Sequence, residues 1–340
     1  GIDNDESKME CLSEVRSKME LAVDYLYISQ LIPKQVNQYN LEIQQMFEEL
    51  RKNFGAKLQQ NLNAFPPSRL DYLKLKLSRL QLNMGNVQTN LTLQQVEKHY
   101  ELVELESKSY VLNHLKLLEL HFKHEHSPLL SKTSALQSPQ IFLADEETAI
   151  SSTPFYLVRQ NVIVVPYGIL QTPMYHSNMH VVLKWSLFGF LLAHELAHGF
   201  DSTGIFYSAE GNFNELHTLE LNSKFESGVA CIRENDARTP TEHIDERIAD
   251  VVGIRLAYDV LFEGQSAKAQ LMKFTQLSAK RLFFLNFAQF FCGSLDGQFL
   301  DHDSDNVRLL QTLKNFAPFA EEFQCAVGSN MNPREKCRLW

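Results

Sequence analysis

The segment "FLLAHELAHGFD", residues 190–201, constrains this chain more than any other. An apolar run ends in His194, Glu195 and His198. Its composition asks for burial, yet burying a carboxylate beside two imidazoles is strongly unfavourable unless something compensates them. On a helix, residues four apart share a face, so His194 and His198 aim two imidazoles at one point and Glu195 flanks it. Neutral imidazole is a ligand for zinc, and the flanking carboxylate is then placed to take a proton from water at the ion.

A catalytic zinc site needs a third protein ligand and one open position. Downstream, "DERIADVVGIRLAYDVL" offers Glu246 as that ligand, with Asp250 four residues on. Asp250 can accept a hydrogen bond from the outer nitrogen of a ligating histidine and fix its tautomer. Carboxylates at this spacing commonly line a solvated helix face. Here Ala249, Val251, Val252 and Ile254 make the helix too apolar to be all surface.

The rest of the chain reads as mainly α with a small β element. Leu12, Val15, Met19, Ala22 and Leu26 repeat at helical spacing, up to Pro33. Ile43, Met46, Phe47, Leu50 and Phe54 form a second stripe, and Leu70, Leu73, Leu77 and Leu80 a third. All three are expected to pack into core. Thr92 with Gln95 has the pattern of a capping box and is expected to open one long helix through "VEKHYELVELESKSYVLNHLKLLELHF". Residues 1–125 thus form a helical region and 126–148 a polar loop. The remainder, 149–340, begins with a hairpin over 153–166 that turns at Arg159-Gln160-Asn161. Helices follow at 180–200, 246–263 and 266–291, with a loop region over 202–240. His121, His124 and His126 read as a solvated helix end, because no carboxylate frames them as a ligand set.

A chain of 340 residues is expected to form two lobes. A formal net charge of -9, with no block of Lys or Arg, argues against a nucleic-acid partner. The longest apolar run, Trp185–Ala193, is far too short to span a bilayer. The opening residues are acidic and polar, unlike a signal peptide, and the lack of an initiator Met suits a mature product or a fragment. Cys11, Cys231, Cys292, Cys325 and Cys337 contain no CxxC pair, so a thiolate zinc site is not expected. They are either buried thiols or members of a disulfide framework with partners elsewhere. The triplet Asn90-Leu91-Thr92 is compatible with a glycoprotein in an oxidising compartment.

With HELAHGFD, the ExxxD of "ERIAD", "LFFLNFAQFFCG" at 282–293 and the ending "NPREKCRLW", the chain resembles the neprilysin family of zinc metallopeptidases. The resemblance runs from about Cys11 to the last residue and covers the C-terminal half of a family ectodomain. It implies a thermolysin-like (gluzincin) catalytic lobe with part of a helical lobe. It also implies His194, His198 and Glu246 as ligands of one zinc per chain, Glu195 as general base and Asp250 as its supporting acid. In "FLDHDSDNVRLL", His302 matches the group that stabilises the oxyanion, and Arg308 the one that grips a substrate carbonyl. The family pairing implies a Cys231–Cys337 disulfide. The partners of Cys11, Cys292 and Cys325 would then lie in an absent N-terminal half.

Departures fall at substrate-facing positions. Thr153-Pro154-Phe155-Tyr156 stands where the family has Asn-Ala-Phe-Tyr, so the amide that clamps a peptide backbone is missing. Arg247 stands where Asn is common, Val251-Val252 where Asn-Gly is common, and Phe291 in place of Trp. The loop between His198 and Glu246 looks shortened. The expectation is a secreted or membrane-anchored extracellular zinc endopeptidase acting on short peptides, with Thr153, Pro154 and Phe155 beside the substrate. The alternative is a zinc-bound peptide-binding homologue with weak or no turnover.

Overall fold

A computed structural model describes residues 4–32, 34–87, 91–130, 150–214, 223–234, 241–263, 274–293 and 302–340. Pro33, the sequon residue Asn90 and most of the 126–148 loop lie outside the described residues, as do parts of the 202–240 loop. The chain is mainly α with a small sheet, as expected. In order it runs α1 (Asn4–Lys18), α2 (Glu20–Leu26), α3 (Val36–Gln60), α4 (Pro67–Arg79), β1 (Gln81–Met84), α5 (Leu93–Tyr100) and α6 (Tyr110–Leu130). Then come β2 (Phe155–Leu157), β3 (Val162–Val165), α7 (Val181–Lys184), α8 (Phe190–His198), α9 (Ser223–Glu234) and α10 (Ile244–Phe262). Last are α11 (Ala279–Gln289), α12 (Asp305–Lys314) and α13 (Ala317–Glu322). The strand order is β1-β3-β2, which leaves β2 at an edge.

Two compact units emerge. One comprises residues 1–40, 83–153 and 164–169, the other 41–82, 154–163 and 170–340. In the first, the capping box forms as expected: Thr92 Oγ1 accepts from Gln95 N, and Gln95 Oε1 accepts from Thr92 N at 2.8 Å. The long helix does not form. It breaks over 101–109, where the Asn113 side chain accepts from Glu106 N and donates to Glu106 O, both at 2.8 Å. Lys116 Nζ adds a bond to Glu104 O. Side chains from the start of α6 thus satisfy backbone groups that a continuous helix would have used. The first stripe also differs from expectation: Leu12, Val15 and Leu26 are exposed, and the buried residues of α2 are Leu21 and Asp24. Met19 and Ala22 of that stripe are half-buried, so periodicity marked the helices but not a fully buried core. Met9 on α1 and Tyr110, Val111, Leu115 and Phe122 on α6 are also exposed.

In the second unit the other two stripes do pack: Ile43, Met46, Phe47, Leu50, Phe54, Leu73, Leu77 and Leu80 are buried. The hairpin turns where expected, on Asn161 at φ 54, a left-handed conformation that asparagine tolerates. Its amide also donates to Lys76 O at 3.0 Å and accepts from the Tyr156 hydroxyl at 2.9 Å. The expected 180–200 helix is α7 and α8 joined by a wider π-helical turn over Trp185–Gly189. The described part of the 266–291 helix is α11 alone, opened by the Ser278 hydroxyl accepting from Arg281 N. At the C-terminus, Trp340 Nε1 donates to Phe200 O at 3.1 Å, and its ring meets Phe54, Phe65 and Phe225.

Cys231 and Cys337 are bonded across 106 residues, while Cys11 and Cys292 are free and exposed and Cys325 is free and half-buried. Closing a loop of that length is worth about 4–5 kcal/mol in a chain-entropy account. Peptide mapping without reduction is expected to link Cys231 to Cys337 and leave the other three alkylatable. A dominant bridge between any two of those three would contradict this arrangement.

Candidate metal centre

The site is built where α8 packs against α10. Gly253 permits the approach: a Cβ there would lie 3.1 Å from His194 N and 3.3 Å from Phe190 O. With the helices that close, Glu246 and Asp250 at the start of α10 face the last turn of α8. His194 Nε2 lies 3.0 Å from His198 Nε2 and 3.1 Å from Glu246 Oε2, and His198 Nε2 lies 3.4 Å from Glu246 Oε1. Ligand atoms placed tetrahedrally at 2.0–2.1 Å from a zinc ion stand about 3.4 Å apart. The three side chains therefore fit a zinc ion with little movement.

The outer nitrogens are also fixed. His194 Nδ1 donates to Asp250 Oδ1 at 3.0 Å, and His198 Nδ1 to Asp201 Oδ2 at 2.8 Å. Each imidazole thereby presents Nε2 inward. Asp250 is in turn gripped by Arg308, whose Nε and Nη2 each donate at 2.8 Å. Burial, the largest single influence, would raise the Asp250 pKa, but the Arg308 charge and the hydrogen bonds from Arg308 and His194 together outweigh it and hold the group at about 2. Burial also opposes charge on His198, and the hydrogen bonds to Asp201 and Glu246 overcome it and raise its pKa well above the ordinary value. Glu246 is pulled down, against burial, by the histidines around it. Glu195 is buried beside the cluster, and that burial lifts its carboxyl above the usual range, partly offset by the nearby imidazoles.

Asp201, to which the sequence alone assigns no role, is held by its own turn: Oδ1 accepts from Thr203 N at 3.0 Å and Gly204 N at 2.6 Å. That turn folds back closely enough that a Cβ at Gly204 would meet His198 O at 1.8 Å. From α4, the Lys76 ammonium donates to Gly204 O and the Arg69 guanidinium to Ile205 O at 2.8 Å. Both are fully buried, and burial lowers the Lys76 pKa to about 7. The local signal for Asp201 was its place three residues after His198, within the same motif. Nothing near Lys76 or Arg69 in sequence points to the site.

His302 also reaches the cluster, with Nε2 at 2.9 Å from Glu246 Oε2, so that His194, Glu246 and His302 make a second compact donor set. His194 and His198 have their Nδ1 atoms anchored by buried carboxylates and side chains 5% and 17% exposed, whereas His302 is 34% exposed. Those anchors favour the helical pair as ligands. Arg308 is committed to Asp250 through two of its nitrogens and is buried. Thr153 is exposed, Pro154 is buried, and Phe155 opens the edge strand β2 half-buried. Of the histidines of α6, His121 and His124 both lie beside His99, with His124 stacked on its ring at 4.1 Å, whereas His126 stacks on Phe122 at 4.1 Å.

Residues 153–339 match peptidase family M13. Neprilysin-3 of Drosophila melanogaster is 28% identical over 97% of this chain and 43% of its own length. Human membrane metallo-endopeptidase-like 1 is 26% identical over 97% and 44%. Human neprilysin is 32% identical over 55% of this chain and 28% of its own. The chain thus spans less than half the length of these relatives. Among solved structures, the zinc metalloprotease Zmp1 of Mycobacterium tuberculosis, in complex with an inhibitor, superposes with a TM-score of 0.76 at 19% identity. That match covers 96% of this chain and 50% of Zmp1. A Haemonchus galactose-containing glycoprotein complex gives 0.79 at 20% identity, over 98% and 54%.

Proposed function

Because this chain belongs to peptidase family M13, the zinc metalloendopeptidases that include neprilysin, with a thermolysin-like fold, we propose that it is the catalytic part of a peptide-hydrolysing enzyme. The observation that carries this reading is the convergence of His194 Nε2 and His198 Nε2, 3.0 Å apart, on the two oxygens of the Glu246 carboxylate at 3.1 and 3.4 Å, with both outer nitrogens fixed. These three residues would hold one zinc ion, which supplies a Lewis acid that acidifies water and polarises a carbonyl.

The chain's own groups supply the rest. Glu195 takes the proton of the attacking water and returns it to the leaving amine, a role suited by its burial-raised pKa. His302, whose Nε2 lies beside Glu246, donates to the oxyanion of the tetrahedral intermediate. Asp250 keeps His194 oriented, and Arg308 keeps Asp250 charged and would also bear on a substrate carbonyl. The substrate pairs along the free edge of β2 as an added strand, beside Thr153, Pro154 and Phe155. We assign the catalytic region to 149–340, and take short peptides with an apolar residue on the amine side of the cut as substrates. The exposed apolar residues of α1 and α6 suit cover by the region that matches the N-terminal part of the longer relatives. An extracellular site of action, as a secreted protein or the ectodomain of a single-pass membrane protein, goes with the bridge of Cys231 to Cys337. No described helix is long and apolar enough to cross a membrane.

The test is cleavage of a mixed peptide pool read by mass spectrometry, with and without a chelator, on this chain and on a version extended upstream. Chelator-sensitive cuts before apolar residues are expected, and a zinc-loaded protein that makes no cut in either form overturns the reading. The edge strand adds a finer expectation. Thr153 has a shorter side chain than asparagine and spans fewer backbone groups of a paired peptide. One hydrogen bond that would otherwise leave a peptide group unpaired is worth about 1–1.5 kcal/mol. Thr153→Asn with Pro154→Ala is therefore expected to raise kcat/KM by about tenfold. An unchanged kcat/KM would remove Thr153 from the substrate path.

A further inference from the structure

One ion pair ties the site together from outside the ligand set. Arg247 follows Glu246 on α10, and Asp303 follows His302 ahead of α12. Arg247 is 2% exposed, and its Nε donates to Asp303 Oδ2 at 2.6 Å. The other oxygen, Asp303 Oδ1, accepts from the Thr241 hydroxyl at 3.0 Å. That hydroxyl oxygen in turn accepts from His243 N at 2.8 Å, at the N-cap of α10. A single carboxylate is thus bonded from two points at the start of the helix that carries Glu246. Its neighbour in sequence, His302, meets Glu246 at 2.9 Å. Both His302 and Glu246 therefore sit one residue from a partner of the same buried pair.

A buried ion pair is a poor source of net stability, because desolvating two charges offsets most of their attraction. Its strength lies in fixed geometry, since Arg247 holds one oxygen of Asp303 and Thr241 the other, which sets the orientation of the carboxylate. His302 needs that help: it precedes α12 and its side chain is 34% exposed. Arg247 replaces the asparagine common in the resembled family, and asparagine carries no charge to pair with Asp303.

We propose that Arg247 and Asp303 form a latch that sets His302 against the metal site, which makes Arg247 a positioning residue for the oxyanion-binding histidine. The latch rests on the peptidase reading of His302. Its signature is dependence: removing Arg247 matters only while His302 is present to be positioned.

The experiment is a double-mutant cycle on the zinc-loaded chain, with binding of a peptide phosphonate, a tetrahedral oxyanion mimic, measured by calorimetry. Zinc content is counted for each protein. Arg247→Met is expected to keep one zinc and to weaken phosphonate binding about tenfold, the usual range for a residue that orients another. In the His302→Ala background the same change is expected to cost less than about twofold. Equal losses in both backgrounds, or no loss in the parent, overturn the latch. If Arg247→Met does not fold, Asp303→Asn carries the same cycle, because it keeps the shape and removes the charge. Peptide turnover is scored separately. A protein that binds phosphonate with this coupling yet cleaves nothing keeps the latch and sinks the peptidase reading. A zinc-loaded parent that binds no phosphonate sinks both.

Discussion

Glu195→Gln is expected to keep its zinc and lose peptide hydrolysis by on the order of 10²–10⁴-fold, the usual worth of a positioned general base. Glu195 follows His194 in α8, but its carboxylate is not one of the three donors that converge there. An amide in its place fills the same buried space and cannot accept the proton of the attacking water. The change should also be gentle on the fold, because burial already disfavours the charge that it removes. Metal content and thermal midpoint should therefore match the parent while turnover collapses. A variant that cleaves at the parental rate would show that another group is the base.

Arg308→Met is expected to be among the most destabilising single changes in the catalytic unit. Asp250 is 1% exposed and relies on Arg308 for two of its hydrogen bonds. Without that cation a buried carboxylate is left short of its compensation, which costs about 3–5 kcal/mol. At roughly 2–4 °C per kcal/mol, the midpoint falls by roughly 6 °C or more. Asp250→Asn should behave differently. It strands the buried Arg308 cation and also weakens the anchor of His194, so a loss of stability is joined by a fall in zinc affinity of about 10–100-fold. The pH dependence follows the same pair. Folding lowers the Asp250 pKa from its ordinary 3.8 to about 2. Its contribution is therefore fully present above the ordinary value and is lost as the pH falls through the folded one. Arg308→Met should flatten stability across that acid window. A midpoint within a degree of the parent would mean that Asp250 finds other compensation.

How much of this was legible in sequence depended on the range of the interaction. The i, i+4 spacings of His194 with His198 and of Glu246 with Asp250 are local, and each pair lies on a single helix. The capping box at Thr92 and the turn at Asn161 are likewise short-range devices. The break between α5 and α6 was hidden because a residue four positions into α6, Asn113, competes for the backbone of Glu106. Periodicity marks an amphipathic helix and is silent on what covers it, hence the exposed Leu12, Val15 and Leu26. Lys76 lies 128 residues from the Gly204 carbonyl that it holds, and Arg247 lies 56 from Asp303. Contacts of that separation leave no periodic trace. What the sequence did carry for Arg247 was a departure, a charge beside a ligand where a neutral amide is common, which the geometry then pairs.

The central claim is that His194, His198 and Glu246 hold one zinc ion, and native mass spectrometry of the intact chain tests it most directly. Spectra of the parent, Glu195→Gln, His198→Ala and Glu246→Gln, each dialysed against the same zinc buffer, give the count without reference to turnover. The expected result is one zinc on the parent and on Glu195→Gln, and a large loss of bound zinc from the other two. Full occupancy in His198→Ala or Glu246→Gln, or none in the folded parent, would contradict the account.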